Sequence, residues 1–408
     1  MPPLAPPSWL DVLQDELNAL EDQALRRRLR PVSPRSRVID LHGRSLINLA
    51  ANDYLGLASH PHLREAAIEA IRTHGVGAGA ARLITGHTPL HEVVEARFAA
   101  FKHAEAALIL PTGYMANLAV LTALARPGDL VCMDKLNHAS LIDAGRASGA
   151  TVRVYPHGGL EKLERLLRQH ADATAGSQTG DRPRAFIVTD SIFSMDGDPA
   201  DLPALCDLAE RYDAMLIVDE AHGTGVLGDT GAGLAEAQGV AERVHVVVST
   251  ASKALGGLGG IITGPRIVIE TIINRARPFI FTTAAPPAQV AAIDAALDVL
   301  RDEPWRRHRV IELARRLRES LGLPGLQSEI ITPIIPIIEG PAPAAQALAA
   351  HLEAHGFYAP AIRPPTVSPN ASRVRITLRA DLEDADVDRL IACLADWRTK
   401  RADTVAKP

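Results

Sequence analysis

AMLIVDEAHGTGVLG, residues 214–228, runs five apolar residues into two acids, a histidine and a glycine-rich turn. So short and so apolar a run, bounded by turn residues, reads as a strand buried on both faces. In an open α/β sheet, ligands sit beyond the carboxyl ends of the strands. Asp219 therefore stands where a buried acid can face a cationic ring nitrogen and keep that ring protonated. The alternative reading is that Asp219 only caps the following turn.

Working outward, the pattern repeats. ALILPT, LVCMD, TVRVYP, RAFIVTD, VHVVVST and GGIITG, all between Ala106 and Gly264, have the same strand character. With AMLIVDE they predict about seven strands of a buried sheet. Between them lie segments of 3.6-residue periodicity at 115–125, 159–170 and 203–212. Alternating βα units predict a mostly parallel sheet with helices on both faces. Past residue 285 the pattern changes to long helical stretches, a strand-like IITPIIPII, a helix near 343–355, a strand SRVRITL and a final helix. That predicts a smaller C-terminal α+β domain. WLDVLQDELNALEDQALRRRLR (9–30) reads as one amphipathic helix, too little to form a core alone, so it should pack on the rest of the chain or on a partner. The expected division is 1–50, an N-terminal helical segment, 51–285, a large domain, and 286–408, a small one. ADATAGSQTGDRPR (171–184) is expected to be a polar surface loop.

VHVVVST ends at Thr250, and Lys253 follows before ALGGLGG. An isolated lysine is usually a solvated charge. At the mouth of a sheet, one strand after Asp219 and flanked by glycines that admit close approach of a ligand, it suits a Schiff-base lysine, which must be desolvated to be nucleophilic. PTGYMANLAVL (111–121) puts a glycine turn at a helix start, where free N–H groups make an anion site, though an ordinary strand-to-helix turn looks the same. His138, just past a strand, can stack on a planar ring or be a plain surface histidine.

Composition narrows the field. The chain has 408 residues, 47% hydrophobic, with a net charge of only −5 and both signs interspersed, so nucleic acid and anionic membrane are not expected partners. Cys132, Cys206 and Cys393 form no CxxC pair, which argues against a disulfide framework or a zinc cluster and for a reducing cytoplasm. MPPLAPPSWL lacks the features of a signal peptide, and no apolar run reaches membrane-spanning length. GxxxxGK[ST] and HExxH are absent, and no metal site is expected.

Eight segments in order, ANDYLGL (51–57), TGYMANLAVL (112–121), NHAS (137–140), TDSIFSMDGD (189–198), VDEAHGTGVLG (218–228), STASKALGGLGG (249–260), FTTAAPP (281–287) and AIRPPTVSPNASRVRITL (361–378), resemble the α-oxoamine synthases over nearly the whole chain. That resemblance implies a fold-type I pyridoxal 5′-phosphate (PLP) transferase, an α/β fold with a mostly parallel central sheet and a smaller C-terminal domain. It implies that Gly113, Tyr114 and Thr250 contact the cofactor phosphate and that His138 stacks on the ring. Ser194 and His222 would address the phenolic oxygen, Asp219 would pair with the ring nitrogen, and Lys253 would carry the cofactor. Thr282 or Thr283 would reach the phosphate of the neighbouring subunit, implying a homodimer with shared active sites. Asn52 and Arg375 would hold the amino-acid substrate, and Arg26, Arg363 and Thr366 would lie at the acyl-donor end. SIFSMDGD and AIRPPTV imply the member that condenses L-alanine with a pimeloyl thioester of coenzyme A or carrier protein. A sister synthase using glycine or serine, or a catalytically silent binding subunit of the same fold, are the alternatives. SPNAS (368–372), where a Pro-x-Gly-Thr turn is commoner, and the alanines of GAGAAR depart from the family pattern near the substrate regions.

Overall fold

The computed structural model describes residues 8–33, 37–176, 182–323 and 330–405. The opening MPPLAPP and residues 177–181 of the expected polar loop lie outside the described residues. The first elements are α1 (Trp9–Asp22), β1 (Val38–Leu41), β2 (Arg44–Asn48), α2 (Pro61–His74), α3 (Pro89–Phe101), β3 (Ala106–Leu110) and α4 (Gly113–Leu124). Then come β4 (Leu130–Asp134), α5 (Ala139–Ala147), β5 (Thr151–Tyr155), α6 (Leu160–Thr174), β6 (Ala185–Asp190), α7 (Leu202–Arg211), β7 (Ala214–Asp219), α8 (Leu234–Ala237), β8 (Val246–Thr250) and β9 (Gly260–Gly264). The chain continues through α9 (Arg266–Arg275), α10 (Arg277–Ile280), α11 (Pro287–Asp302) and α12 (Trp305–Ser320). It closes with β10 (Ile334–Gly340), α13 (Ala342–Ala354), β11 (Phe357–Tyr358), β12 (Ala361–Ile362), β13 (Ser372–Thr377) and α14 (Asp384–Val405).

The seven expected strands form one sheet in the order β3-β9-β8-β7-β6-β4-β5. Pairings from β5 through β8 are parallel, and β9 runs antiparallel to both β8 and β3. Period-two alternation sorts the side chains. Val131, Met133, Phe186, Val188, Ile217, Val246 and Val248 pack with α4, α5 and α9 on one face. Cys132, Ile187, Leu216 and Val218 pack with α6, α7 and α11 on the other. Helices on both faces keep the interior strands apolar throughout. β5 is the exception to a wholly buried sheet: at the edge, Thr151, Arg153 and Val154 are exposed. No helix among the described residues is long and apolar enough to cross a membrane.

The small domain centres on a sheet of order β10-β13-β12, all antiparallel, and its apolar side chains continue the core of the second face. The N-terminal segment differs from expectation. The helix stops at Asp22, and Ala24 has φ 56°. Beyond it the arginine-rich stretch leaves the helix because its side chains find partners on the small domain: Arg30 pairs with Glu353 at 3.1 Å and Arg27 donates to the Pro364 carbonyl at 3.3 Å. Residues 38–48 are a hairpin, unforeseen in the sequence, whose β2 pairs in parallel with β11. α1 buries none of its residues, leaving Trp9, Leu10, Leu13 and Leu17 exposed.

Arg379 ties the loop after β2 to the small domain. Its side chain is 0% exposed, with the guanidinium 3.3 Å from Asp53 and 2.7 Å from Asp381. Asp53 in turn accepts from the Leu57 N–H at 2.8 Å, and burial pushes its carboxyl up while Arg379 pulls it down. Removing one member of a buried ion pair costs ~3–5 kcal/mol. Arg379→Met is expected to lose about that much in urea denaturation. The loss should narrow as pH falls, because a protonated Asp53 no longer leaves a buried charge.

Candidate active site

Parallel strands deliver their carboxyl ends to one edge of the sheet. Asp134, Asp190, Asp219 and Thr250 are the last residues of β4, β6, β7 and β8, and all are buried. The antiparallel β9 begins at that edge, Gly260 standing opposite both Thr250 and Leu110. The start of α4 thus falls beside the end of β8. A Cβ on Gly113 would lie 3.3 Å from the Thr250 side chain, so the missing side chain is what leaves room between helix end and strand end. Thr112 caps α4 by accepting from Met115 N–H at 3.2 Å, while the N–H groups of Gly113 and Tyr114 have no intrahelical acceptor.

The β6–β7 register sets Asp190 against Asp219. Burial, then the neighbouring Asp219, pushes the Asp190 carboxyl well up, toward its neutral form. Asp219 accepts from Asn117 Nδ2 at 2.6 Å and from its own turn, Ala221 N–H, at 2.8 Å. Asp219 is thus buried and also caps its own turn. Asn117 also donates to Ser140 at 2.8 Å. Its signal in the sequence was a single amide in the otherwise apolar TGYMANLAVL helix.

Lys253 Nζ lies 2.9 Å from His222 Nε2. Burial lowers the amine to about 8, against Asp219 and Asp190, which raise it. His222 is held well below its ordinary value by burial and by Lys253, Arg375 and His138, so its imidazole is neutral. His222 Nδ1 makes a short hydrogen bond to the Tyr54 hydroxyl. His138 heads α5, its N–H donating to Asp190 at 2.8 Å and its Nδ1 paired with Ser140 at 2.7 Å. Its exposed ring meets Tyr114 edge-on at 6.5 Å.

The small domain brings β13 over the mouth. Arg373 and Arg375 share one face of that strand, and both are buried rather than solvated. Their partners separate them. Arg373 is ion-paired with Asp196. Arg375 has neutral partners only: Asn52 Oδ1 at 2.9 Å, Thr377 at 3.0 Å, Tyr54 at 3.3 Å and the Ser194 carbonyl. Among the described residues no carboxylate lies within ion-pair distance of Arg375, so its charge is not matched by an acid of the chain and suits an incoming carboxylate that displaces neutral partners.

Other expected site residues lie elsewhere. Arg26 and Arg363 line a groove of about 950 Å³ with Arg27, Arg28, Arg30 and Glu353. Arg363 donates to the Ala24 carbonyl, and Thr366 turns back to it through its N–H at 3.1 Å. Thr283 pairs through its backbone with Ala81, and neither Thr282 nor Thr283 bonds the mouth through its hydroxyl among the described residues. Tyr54, Asn117 and Asp190 had no assigned role in the sequence reading. His351, His355 and Cys393 also converge, their ligand-capable atoms within 4.8 Å of one another. The two imidazoles are tilted 40° to one another with centroids 4.2 Å apart, and one nitrogen of each is on a backbone carbonyl.

The donor set fits PLP: helix N–H groups and Thr250 for an anion, a buried acid for a protonated ring nitrogen, and a desolvated amine for an aldehyde. The aminotransferase class I and II family matches residues 44–394. An 8-amino-7-oxononanoate synthase of Anaeromyxobacter dehalogenans is 46% identical over 388 residues, 95% of each chain. Among solved structures, serine palmitoyltransferase from S. paucimobilis with bound PLP-myriocin aldimine matches with a TM-score of 0.84 at 27% identity, covering 94% of this chain and 96% of that one. An 8-amino-7-oxononanoate synthase from Francisella tularensis matches with a TM-score of 0.72 at 27% identity, covering 88% and 99%.

Lys253 should stand out chemically. In cofactor-free protein, competitive amine labelling read by mass spectrometry is expected to give Lys253 a reactivity midpoint at about pH 8, against 10.5 for an ordinary lysine. A midpoint in the ordinary range would mean that the amine is solvated.

Proposed function

The chain belongs to the class I and II aminotransferase family, and from that premise we propose that it is an 8-amino-7-oxononanoate synthase, joining L-alanine to a pimeloyl thioester with release of carbon dioxide and the free thiol. The observation that carries the reading is the convergence, on one sheet edge, of a depressed amine (Lys253), a buried acid (Asp219) and an arginine fork without a carboxylate (Arg375). The near full-length identity to a synthase of that name supports the substrate pair.

PLP, when bound, supplies a protonated ring that takes up the negative charge left on the α-carbon of the amino acid. The residues around it have separable tasks. Lys253 Nζ would hold the cofactor, and its amine would be the base for the α-proton of the amino acid. Asp219, oriented by Asn117, holds the proton on the ring nitrogen. The Gly113 and Tyr114 N–H groups, with the Thr250 hydroxyl, hold the phosphate, while His138 covers the ring. His222 and Ser194 serve the phenolic oxygen side. Arg375 and Asn52 orient the alanine carboxylate, fixing the bond that will later break. Arg26, Arg363 and Thr366 belong to the acyl-donor end, where the arginine-lined groove suits an anionic donor.

The exposed apolar side chains of α1 support a homodimer, in which Thr282 or Thr283 of one subunit serves the other's phosphate. The three buried free cysteines suit a reducing cytoplasm.

The direct experiment supplies alanine, glycine and serine against a panel of acyl thioesters. Turnover is expected with alanine and pimeloyl thioester, and borohydride should fix the cofactor on the peptide carrying Lys253. A preference for glycine or serine, or a label elsewhere, overturns the reading. Asp219→Asn removes one partner of a buried charge pair, a loss of ~3–5 kcal/mol. Turnover is then expected to fall by roughly a hundredfold to a few thousandfold, at 1.36 kcal/mol per decade. Near wild-type turnover would leave Asp219 as a turn cap alone.

A further inference from the structure

Tyr54 is fully buried in the ANDYLGL loop, and its hydroxyl stands between the substrate-side arginine and the lysine-side histidine. We propose that Tyr54 is a positioning residue that fixes His222 as the neutral Nε2–H tautomer and links it to the Arg375 guanidinium, an assignment that rests on the reading of the mouth as the catalytic site.

The donor count leads to this arrangement. A guanidinium only donates, so at 3.3 Å the Tyr54 oxygen accepts from Arg375 Nη2. The single hydroxyl proton then has two candidate acceptors. Asn52 Oδ1 is 3.4 Å away and already accepts from Arg375 Nη1 at 2.9 Å, whereas His222 Nδ1 is in short contact. The proton therefore goes to His222 Nδ1. A neutral imidazole accepting at Nδ1 carries its own proton on Nε2, the atom 2.9 Å from Lys253 Nζ.

The tautomer has a chemical consequence. An Nε2–H offers the Lys253 ammonium no lone pair and can donate to the neutral amine, so this tautomer favours the neutral form over the ammonium. It also presents a donor to an anionic oxygen bound beside the amine. The opposite tautomer would accept a hydrogen bond from the ammonium and stabilise it. The other charged or titratable groups facing Lys253 are Asp219 and Asp190, which favour the ammonium, and Arg375 and His138. Tyr54 also braces the arginine, so its loss should loosen the carboxylate clamp.

Tyr54→Phe removes the hydroxyl and little volume. In cofactor-free protein, imidazole ¹⁵N spectra with His222 assigned by His222→Gln should show an unprotonated Nδ1 in wild type and a tautomer mixture in Tyr54→Phe. The labelling midpoint of Lys253 should rise by about half to one pH unit, the worth of one recovered hydrogen bond. In the loaded enzyme, KM for alanine should rise several-fold. A protonated Nδ1 in wild type overturns the proposal even if the variant does not fold. So do an unchanged tautomer and midpoint in a folded Tyr54→Phe. The spectra and labelling need no substrate, so they stand apart from any failure to find condensation activity.

Discussion

Two carboxyl groups on neighbouring parallel strands govern this site. The β6–β7 register sets Asp190 beside Asp219 at one buried edge, separated by the ~4.8 Å spacing of adjacent strands. Burial and mutual repulsion forbid two bare charges there. The structure resolves the conflict unequally: Asp190 is driven toward its neutral form and holds the His138 N–H, while Asp219 is tethered by Asn117 and its own turn. Lys253 and Arg375 supply positive charge opposite. Because the amine is itself desolvated, its proton is loosely held, and more of the Lys253 side chain is in the neutral, nucleophilic form than in an ordinary lysine at the same pH.

Much of this was legible in the residues. AMLIVDE and VHVVVST end at the sheet edge because parallel strands must, so Asp219, Thr250 and Lys253 could be placed by pattern alone. Arg373 and Arg375 could not be told apart by pattern, since both lie on one face of β13. Their separation depends on Asp196, which removes Arg373 by an ion pair. Tyr54 was hidden for a similar reason. It lies in a loop some three hundred residues from Arg375, and its role exists only where the two chain ends meet.

The N-terminal stretch misled for a different reason. Residues 9–30 have helical periodicity throughout, yet the helix ends at Asp22. Periodicity measures what a segment can bury, and it is silent on what its charges can reach. On the small domain Arg27 reaches the Pro364 carbonyl and Arg30 reaches Glu353, while Arg363 donates back to the Ala24 carbonyl, and those long-range partners override a local preference worth a few tenths of a kcal/mol per residue. The hairpin of residues 38–48 was missed likewise, because its strands are short and gain a third partner only from β11.

That last pairing constrains how the molecule is made. Ile47 stands opposite Phe357, so the strand that leads into the ANDYLGL loop, paired early with β1, waits for nearly the whole chain to leave the ribosome before its second neighbour exists. The large sheet, built from residues 106–264, has no such delay and can assemble during synthesis. The mouth therefore arises in two stages, a strand-edge half that forms early and a half bearing Tyr54 and Arg375 that closes last. Contacts of such long sequence separation are slow to form, which makes the final closure the step most exposed to aggregation and to capture by chaperones.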